Sequence, residues 1–230
     1  MRPFAFALCC GAALLALRPA RAWDDYTHMA VAKAAGMGRE YVAVAPDVTK
    51  TKFHGEYANH FYDADRDEVI DRALVLKQAP LYDRDTTGKG CLLGAIIASF
   101  RNYQKALADG KGYAYYYLGF TAHYIGDLGM PLHLMAYDDF NKAHHRLNDE
   151  LLEGEVLAHI DRIRAGMKPV TVRSEEELAD EVANLARESR ALGYKLRDEN
   201  RDLTPDEAYR QLSLSASLLK AAMDLAARQP

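Results

Sequence analysis

The segment KGYAYYYLGFTAHYIGDLGMPLH, residues 111–133, indicates what kind of fold the chain adopts. The part before Pro131 is strongly apolar and long enough for several helical turns, so it predicts a helix at the centre of a bundle. Pro131 lacks a backbone N–H and its ring clashes with the preceding turn, so this helix must end there. His123, Asp127 and His133 lie on the two sides of the break. The sequence therefore places metal-binding side chain types at the end of a central helix.

Helical patterning continues along the rest of the chain, and no hairpin signal or sustained alternation of period two interrupts it. Two helix starts carry capping boxes, Ser174 with Glu177 and Thr204 with Glu207. We expect one all-α, compact multi-helix domain over residues 23–230, with roughly seven to nine helices. The expected helices cover residues 23–36, 67–78, 91–110, 111–129, 138–166 (with a break near Gly154), 174–196 and 204–228, with a loop at 81–90.

The first 22 residues, MRPFAFALCCGAALLALRPARA, differ from the rest of the chain. A basic residue precedes an apolar run that is too short for a comfortable membrane span, and the small residues of Ala-Arg-Ala follow it. This is the pattern of a signal peptide at residues 1–22, cut before Trp23. We therefore expect a soluble exported protein, secreted or periplasmic, with its catalytic domain at 23–230.

Removal of the leader changes the charge and the cysteine content. The formal net charge of −4 becomes −7 when Arg2, Arg18 and Arg21 are lost. Only Cys91 remains of the three cysteines, so an intrachain disulfide cannot form. The acidic balance disfavours nucleic acid held by a basic surface. It leaves open a nucleic acid or phospholipid substrate that bound cations would hold.

The break at Pro131 suggests how metal ligands could be divided between two ions. His123 and Asp127 are four residues apart, so they share one face of the helix and could hold one divalent cation. His133 follows the break and could bind a second ion. A histidine on an apolar helix is also often a hydrogen-bonded core residue, and this alternative stays open.

Two further segments supply candidate ligands. His145 and Asp149 repeat the four-residue spacing, whereas the neighbouring pair His144 and Asn148 contains a poor zinc ligand and Glu150 faces elsewhere. Asp47 and His60 are candidates in residues 46–65. His54 is an alternative that we expect to be exposed, and we expect Asp63 and Asp65 to be helix-start caps. A solvated polar face is the competing explanation for residues 144–150.

The expected new N-terminus offers a last ligand. A free α-amino group has a pKa near 8 and can donate to a metal once deprotonated. Trp23 would carry this group if the leader is cut before it, and His28 follows five residues on. An exposed start to the chain is the alternative.

Taken together, these motifs resemble the zinc-dependent phospholipase C family, which is related to the single-strand-specific zinc nucleases. The matching features are the N-terminal Trp-His, PD…HF-D, HYIGD…P-H and H-x-x-x-D, in the family's order over residues 23–153. The resemblance implies a helical fold of this type and a cluster of three zinc ions. The first zinc would be held by Asp47, His60, His123 and Asp127, the second by His133, His145 and Asp149, and the third by the amino and carbonyl groups of Trp23 with His28 and a bridging Asp127.

The resemblance implies a zinc-dependent phosphodiesterase, with phospholipase C favoured over the nuclease or 3'-nucleotidase activity. Asp149 and the Trp23-to-His28 spacing are nuclease-like, but the segment PD…NHFYDAD, Gly129-Met130 before the proline and the lack of disulfides favour the phospholipases. Asp47 is also the candidate to orient the nucleophilic water.

The expected substrate is a phospholipid, with peripheral membrane contact, and single-stranded nucleic acid is the alternative. We expect no obligate protein partner. A non-catalytic zinc-binding protein is the third hypothesis, but structural zinc sites are usually rich in cysteine. One ring of the cluster Tyr115, Tyr116, Tyr117 and Phe120 is a candidate to line the substrate pocket, and most of that cluster is expected in the core.

Overall fold

The structure is a computed structural model that describes residues 23–84 and 88–228. These residues form a compact all-helical arrangement without a β-strand, as the sequence predicts. The signal peptide predicted at 1–22 lies outside the described residues. Within them, the α-helices are α1 (Asp25–Ala34), α2 (Ala45–Lys50), α3 (Arg72–Gln78), α4 (Leu92–Ala108), α5 (Ala114–Gly129), α6 (Asp139–Asp149), α7 (Ile160–Gly166), α8 (Glu175–Glu199) and α9 (Pro205–Arg228).

Helix α5 is the centre of the fold. It packs against α4, to which a short turn joins it, and against α1, α8 and α9. Leu118, Ile125 and Leu128 are almost fully buried among these helices. Burial of a large aliphatic side chain stabilises a fold by about 1.5–3 kcal/mol, so this apolar helix anchors the core. The side chains it carries into the interior are therefore held in fixed positions.

A glycine in α5 lets another segment approach closely. A Cβ atom at Gly119 would lie 2.5 Å from the carbonyl oxygen of Val42, so only glycine fits here without a shift. Val42 belongs to a 3₁₀ helix, Glu40–Val44, that leads into α2. The close approach brings the backbone of this segment against the face of α5 that carries His123 one turn later.

The predicted break in the central helix is confirmed. Helix α5 ends at Gly129, and a 3₁₀ helix, Pro131–Leu134, follows at once. His133 lies in this second helix and is buried. The break thus redirects the chain so that His133 faces the interior from a different direction than Asp127.

Both predicted capping boxes begin helices, with one difference. Before α9 the pair is reciprocal, because Glu207 N donates to Thr204 Oγ1 and Thr204 N donates to Glu207 Oε2. Before α8 the hydroxyl of Ser174 accepts from Glu177 N, but the Glu177 carboxylate accepts from Arg173 N instead.

The break expected near Gly154 in the helical segment 138–166 is confirmed, and it covers residues 150–159, where turns and a 3₁₀ helix, Val156–His159, separate α6 from α7. This interruption buries both Leu152 and Val156. The helix expected from residue 67 begins only at Arg72, and its cap is Asp71, which accepts from Leu74 N.

Asp63 and Asp65 are therefore not helix caps, contrary to expectation. Tyr62, just before them, forms an isolated antiparallel bridge with Gly90, which keeps this segment extended. Asp65 forms an ion pair with Lys89.

No helix in the described part of the chain combines the length and apolar character needed to cross a membrane.

Candidate metal centre

The four side chains predicted for the first zinc converge in the interior. Asp47 comes from α2, His60 ends a 3₁₀ helix, His54–His60, and His123 and Asp127 lie one turn apart on α5. We call these four residues the first group. All of them are buried, and His123 and Asp127 are completely inaccessible to solvent.

The facing atoms of the first group lie close together. His60 Nδ1 lies 3.0 Å from Asp127 Oδ2, 3.1 Å from His123 Nε2 and 3.8 Å from Asp47 Oδ1. His123 Nε2 lies 3.3 Å from Asp127 Oδ2 and 3.5 Å from Asp47 Oδ1. Donors around a tetrahedral zinc, with bonds of about 2.0–2.1 Å, are roughly 3.3 Å apart. The spacing of the first group is therefore compatible with a bound metal ion.

His133, His145 and Asp149 form a second group, as predicted. Their ligand atoms all lie within 4.8 Å of one another. His145 Nε2 is 3.3 Å from Asp149 Oδ2, and His133 Nε2 is 4.0 Å from Asp149 Oδ1. The two imidazole rings are stacked with their centroids 5.0 Å apart.

His28 and Asp127 form a third group beside the first. His28 Nε2 is 3.5 Å from Asp127 Oδ1, and the His28 ring stacks on the His123 ring with centroids 3.7 Å apart. The ring fits there because a Cβ at Gly126 would lie only 2.5 Å from His28 Nδ1. The glycine of the HYIGD motif therefore provides the space that His28 occupies.

Asp127 connects the three groups. Its Oδ2 faces His60 and His123, whereas its Oδ1 faces His28 and lies 3.4 Å from His133 Nδ1. A carboxylate that presents two oxygens in different directions can bridge neighbouring cations. The eight side chains predicted as ligands thus form one continuous cluster.

Trp23 is the remaining predicted ligand. Its side chain is buried, and α1 begins two residues later. An α-amino group would exist at Trp23 only after cleavage before it, and residues 1–22 lie outside the described part of the chain. Its role as a ligand therefore stays a prediction.

Neighbouring groups fix the tautomers of two histidines. The carbonyl oxygen of Ala43 can only accept, so His123 Nδ1, at 2.8 Å, carries the proton and leaves Nε2 free for the first group. Asn141 Nδ2 donates to Leu132 O, so its oxygen accepts from His145 Nδ1 at 2.7 Å. Such second partners orient the ligands of metal sites.

Burial controls the charge of the second group. It lowers the pKa of His133 to about 3 and that of His145 to about 4, so both imidazoles are neutral at pH 7 with a lone pair to offer. Burial, and then the charge of Asp127, raise the pKa of Asp149 well above its usual range. A carboxylate in this position needs a nearby cation to be ionised at neutral pH.

The first group is balanced differently. Burial alone would raise the pKa of Asp127. His123 and His133 lower this pKa by more than burial raises it, so the net shift is well downward. Burial also opposes ionisation of Asp47, yet His123, Lys50 and His60 together lower its pKa to about 2. Both carboxylates are therefore ionised at neutral pH. Two buried negative charges in one pocket are an environment that attracts cations.

Unpartnered buried atoms give an independent test of fit. Leaving a buried polar atom without a partner costs about 1–3 kcal/mol, so such atoms are rare. Among the described residues, most buried side-chain atoms without a hydrogen-bond partner belong to the three groups. They are both ring nitrogens of His28, Asp47 Oδ2, His60 Nε2, Asp127 Oδ1, His133 Nδ1 and both oxygens of Asp149. Bound cations would satisfy several of them together, so the residues present fit metal ions.

A cleft of about 230 Å³ reaches the cluster. His60, His133 and His145 contribute to its lining, so ligands of the first and second groups are accessible from it. Lys50 also lines the cleft and forms an ion pair with Asp47. The remaining lining includes Tyr57, Phe61, Asp63, Leu132 and Tyr137.

Most of the aromatic cluster in α5 belongs to the core, as expected: Phe120 is buried and Tyr115 and Tyr117 pack against the core, whereas Tyr116 is 45% exposed. None of these four rings lines the cleft, contrary to the candidate role, and the rings that do are Tyr57, Phe61 and Tyr137. His144 likewise lies outside the cluster, because its Nδ1 hydrogen-bonds with Asp202 Oδ1 at 2.7 Å. His54 is exposed, as expected.

Three side chains of the site were missed from the sequence. Lys50 follows Asp47 by three residues, and Asn141 precedes His145 by four, so each shares a helix face with a predicted ligand. That spacing could have identified both. Glu56 precedes His60 by four residues, but it lies in a 3₁₀ segment, where the helical spacing rule does not apply.

Comparison with known proteins adds no assignment to this geometry. No model of a protein family matches the chain, and no curated protein matches it.

Proposed function

We propose that the protein is an exported zinc-dependent phosphodiesterase of the phospholipase C and zinc nuclease fold type, and that its activity is that of a phospholipase C. The observation that carries the proposal is the bridged cluster of three buried His/Asp groups beside a cleft. The short distances between the ligand atoms of the first group and the unpartnered atoms support three zinc ions as cofactors. This combination favours hydrolysis of a phosphodiester over metal binding without catalysis.

The ligand types favour catalysis over a purely structural role. Structural zinc sites are usually closed and rich in cysteine, whereas catalytic sites keep a position open to substrate. The one cysteine of the described residues, Cys91, is buried and donates to Asn59 Oδ1 rather than joining the cluster. Three of the cluster's histidines line the cleft, which would give a substrate access to the ions.

The chain's own residues have definable tasks in such a reaction. When bound, zinc lowers the pKa of water and neutralises the charge of a phosphoryl group. Lys50 would bind a phosphoryl oxygen of the substrate, since it lines the cleft beside Asp47. Asp47 Oδ2 has no hydrogen-bond partner among the described residues, so it can accept one from the attacking water and orient it.

The cleft lining favours a phospholipid. Water would add to phosphorus, the bond from phosphorus to the glycerol oxygen would break, and a proton from the water would end on that oxygen. The products are diacylglycerol and a phosphorylated head group. Tyr57, Phe61 and Tyr137 offer ring faces, and Asp63 offers a carboxyl group, which together suit a cationic head group such as choline.

Single-stranded nucleic acid is the alternative substrate, because bases also stack on aromatic rings. The two substrates can be compared directly. Purified protein that begins at Trp23 should release phosphocholine from phosphatidylcholine vesicles faster than it degrades single-stranded DNA. Chelation should abolish the activity, and added zinc should restore it.

A matched pair of variants separates catalysis from folding. Asp149→Asn removes a ligand of the second group and should abolish turnover. Asp202→Asn is the control. Asp202 lies outside the cluster and hydrogen-bonds to His144, which is on the same helix as Asp149, so this variant should leave turnover intact. Faster cleavage of DNA would transfer the proposal to the nuclease. Activity that chelators leave unchanged would end the metalloenzyme proposal, and metal binding without turnover would leave a binding protein.

A further inference from the structure

A buried carboxylate, Glu56, lies behind His60 and has no task in the reaction described above. It is 1% exposed, although it is not one of the predicted ligands. Its Oε1 is 3.5 Å from His60 Nε2, on the opposite side of the ring from the first group. A buried carboxylate next to a metal-binding imidazole requires a physical reason.

The geometry of His60 supplies this reason. Its Nδ1 faces Asp47, His123 and Asp127, so Nδ1 is the atom that would bind a cation. A neutral imidazole that binds a cation through Nδ1 carries its proton on Nε2. His60 Nε2 is buried and has no hydrogen-bond partner among the described residues. Glu56 is the acceptor beside it, and the 3.5 Å separation would shorten by a small ring movement.

Glu56 is itself held in place. Its Oε1 accepts from the Tyr124 hydroxyl at 2.5 Å, and its Oε2 accepts from Asn59 Nδ2 at 3.1 Å. Asn59 in turn donates to Asp83 Oδ1 and accepts from Cys91 Sγ. Tyr124 belongs to α5, one residue after His123, so the central helix supports the carboxylate directly.

We infer that Glu56 is a positioning residue for the first metal site, which fixes the proton of His60 on Nε2 and aims Nδ1 at the cation. A carboxylate–imidazole–metal relay of this kind raises the basicity of the ligand and sets its orientation. The inference rests on the proposed metal binding but not on the identity of the substrate.

The test is the affinity of each zinc ion for Glu56→Gln protein. Glutamine keeps the size of the side chain but has one acceptor oxygen for three donors, from Tyr124, Asn59 and His60. Calorimetric titration of metal-free protein with zinc, with bound metal counted by mass spectrometry, should show one ion weakened about 10–100-fold. The other two should bind as in the wild type.

Glu68→Gln is the matched control, since Glu68 also accepts from a tyrosine hydroxyl, that of Tyr62, but contacts no ligand of the cluster. It should leave all three affinities unchanged. Tyr124→Phe, which removes one donor to Glu56, should weaken the same ion to a smaller extent. This variant keeps the inference testable if Glu56→Gln does not fold.

Two outcomes would overturn the inference. Unchanged affinity for all three ions in Glu56→Gln would exclude a positioning role. Equal weakening of every ion, together with a lower melting temperature of the metal-free protein, would assign Glu56 to general stability. Failure of the wild-type protein to bind zinc would instead refute the proposed function itself.

Discussion

Gly126→Ala is a small change with a specific consequence for the third group. The new Cβ would lie 2.5 Å from His28 Nδ1 and 2.9 Å from its Cε1, where ordinary contacts begin at 3.4 Å. The His28 ring must therefore move by about 1 Å. It cannot move far, because it is completely buried and stacked on His123. We expect the movement to misalign His28 Nε2 with Asp127 Oδ1.

The expected magnitudes differ for folding and for metal binding. Alanine is favoured over glycine inside a helix by about 1 kcal/mol, whereas overpacking a core costs about 1–3 kcal/mol. The free energy of unfolding of metal-free protein should therefore fall by at most about 2 kcal/mol. Displacing a ligand should weaken the third ion by at least the roughly 10–100-fold that outer partners of metal ligands contribute. The other two ions should bind normally.

The assay is calorimetric titration of metal-free protein with zinc, combined with urea unfolding. Gly129→Ala is a matched control on the same helix as Gly126. Its Cβ would approach Ser215 Oγ to 2.3 Å, away from the cluster. This control should lose stability and keep all three ions. Wild-type zinc affinity at every site in Gly126→Ala would refute the assignment of His28 as a ligand.

Three other predictions concern the cleft and its support. Lys50→Gln should lower kcat by about 10²–10³-fold, because a preorganised group that stabilises developing charge is lost. Lys52→Gln is the control and should leave kcat unchanged. Equal kcat values for the two variants would show that Lys50 has no role in the site. Burial, with Asp83 and Glu56, raises the pKa of Cys91 to about 12, so its thiol should react with a disulfide reagent at pH 8 roughly 10³-fold more slowly in native than in unfolded protein. Burial also raises the pKa of Asp63 to about 7 from 3.8, so the folded state binds more protons and metal-free protein loses stability between pH 4 and 7. Asp63→Asn should therefore raise the free energy of unfolding more at pH 8 than at pH 5, and an equal gain at both would contradict this shift.

Local rules explain why much of the cluster could be predicted from the sequence. His123 with Asp127 and His145 with Asp149 share helix faces through their four-residue spacing, and the ring of Pro131 enforces a break wherever it occurs. These constraints act within a few residues. Their outcome therefore depends little on the rest of the fold.

Some of the supporting contacts depend on the approach of a distant segment or on irregular backbone. Ala43 reaches His123 because Gly119 lets another segment approach, and Glu56 reaches His60 within an irregular 3₁₀ helix. Asp63 was expected to cap a helix, but the bridge between Tyr62 and Gly90 keeps that segment extended. No local pattern encodes such approaches, so sequence-based reasoning missed these roles.

Anomalous scattering at the zinc absorption edge, from crystals of protein beginning at Trp23, would show whether the His/Asp cluster binds metal. We expect three adjacent peaks, with Asp127 contacting more than one of them and the first surrounded by Asp47, His60 and His123. The absence of metal from this cluster in zinc-saturated crystals, or zinc bound elsewhere on the surface, would contradict this expectation.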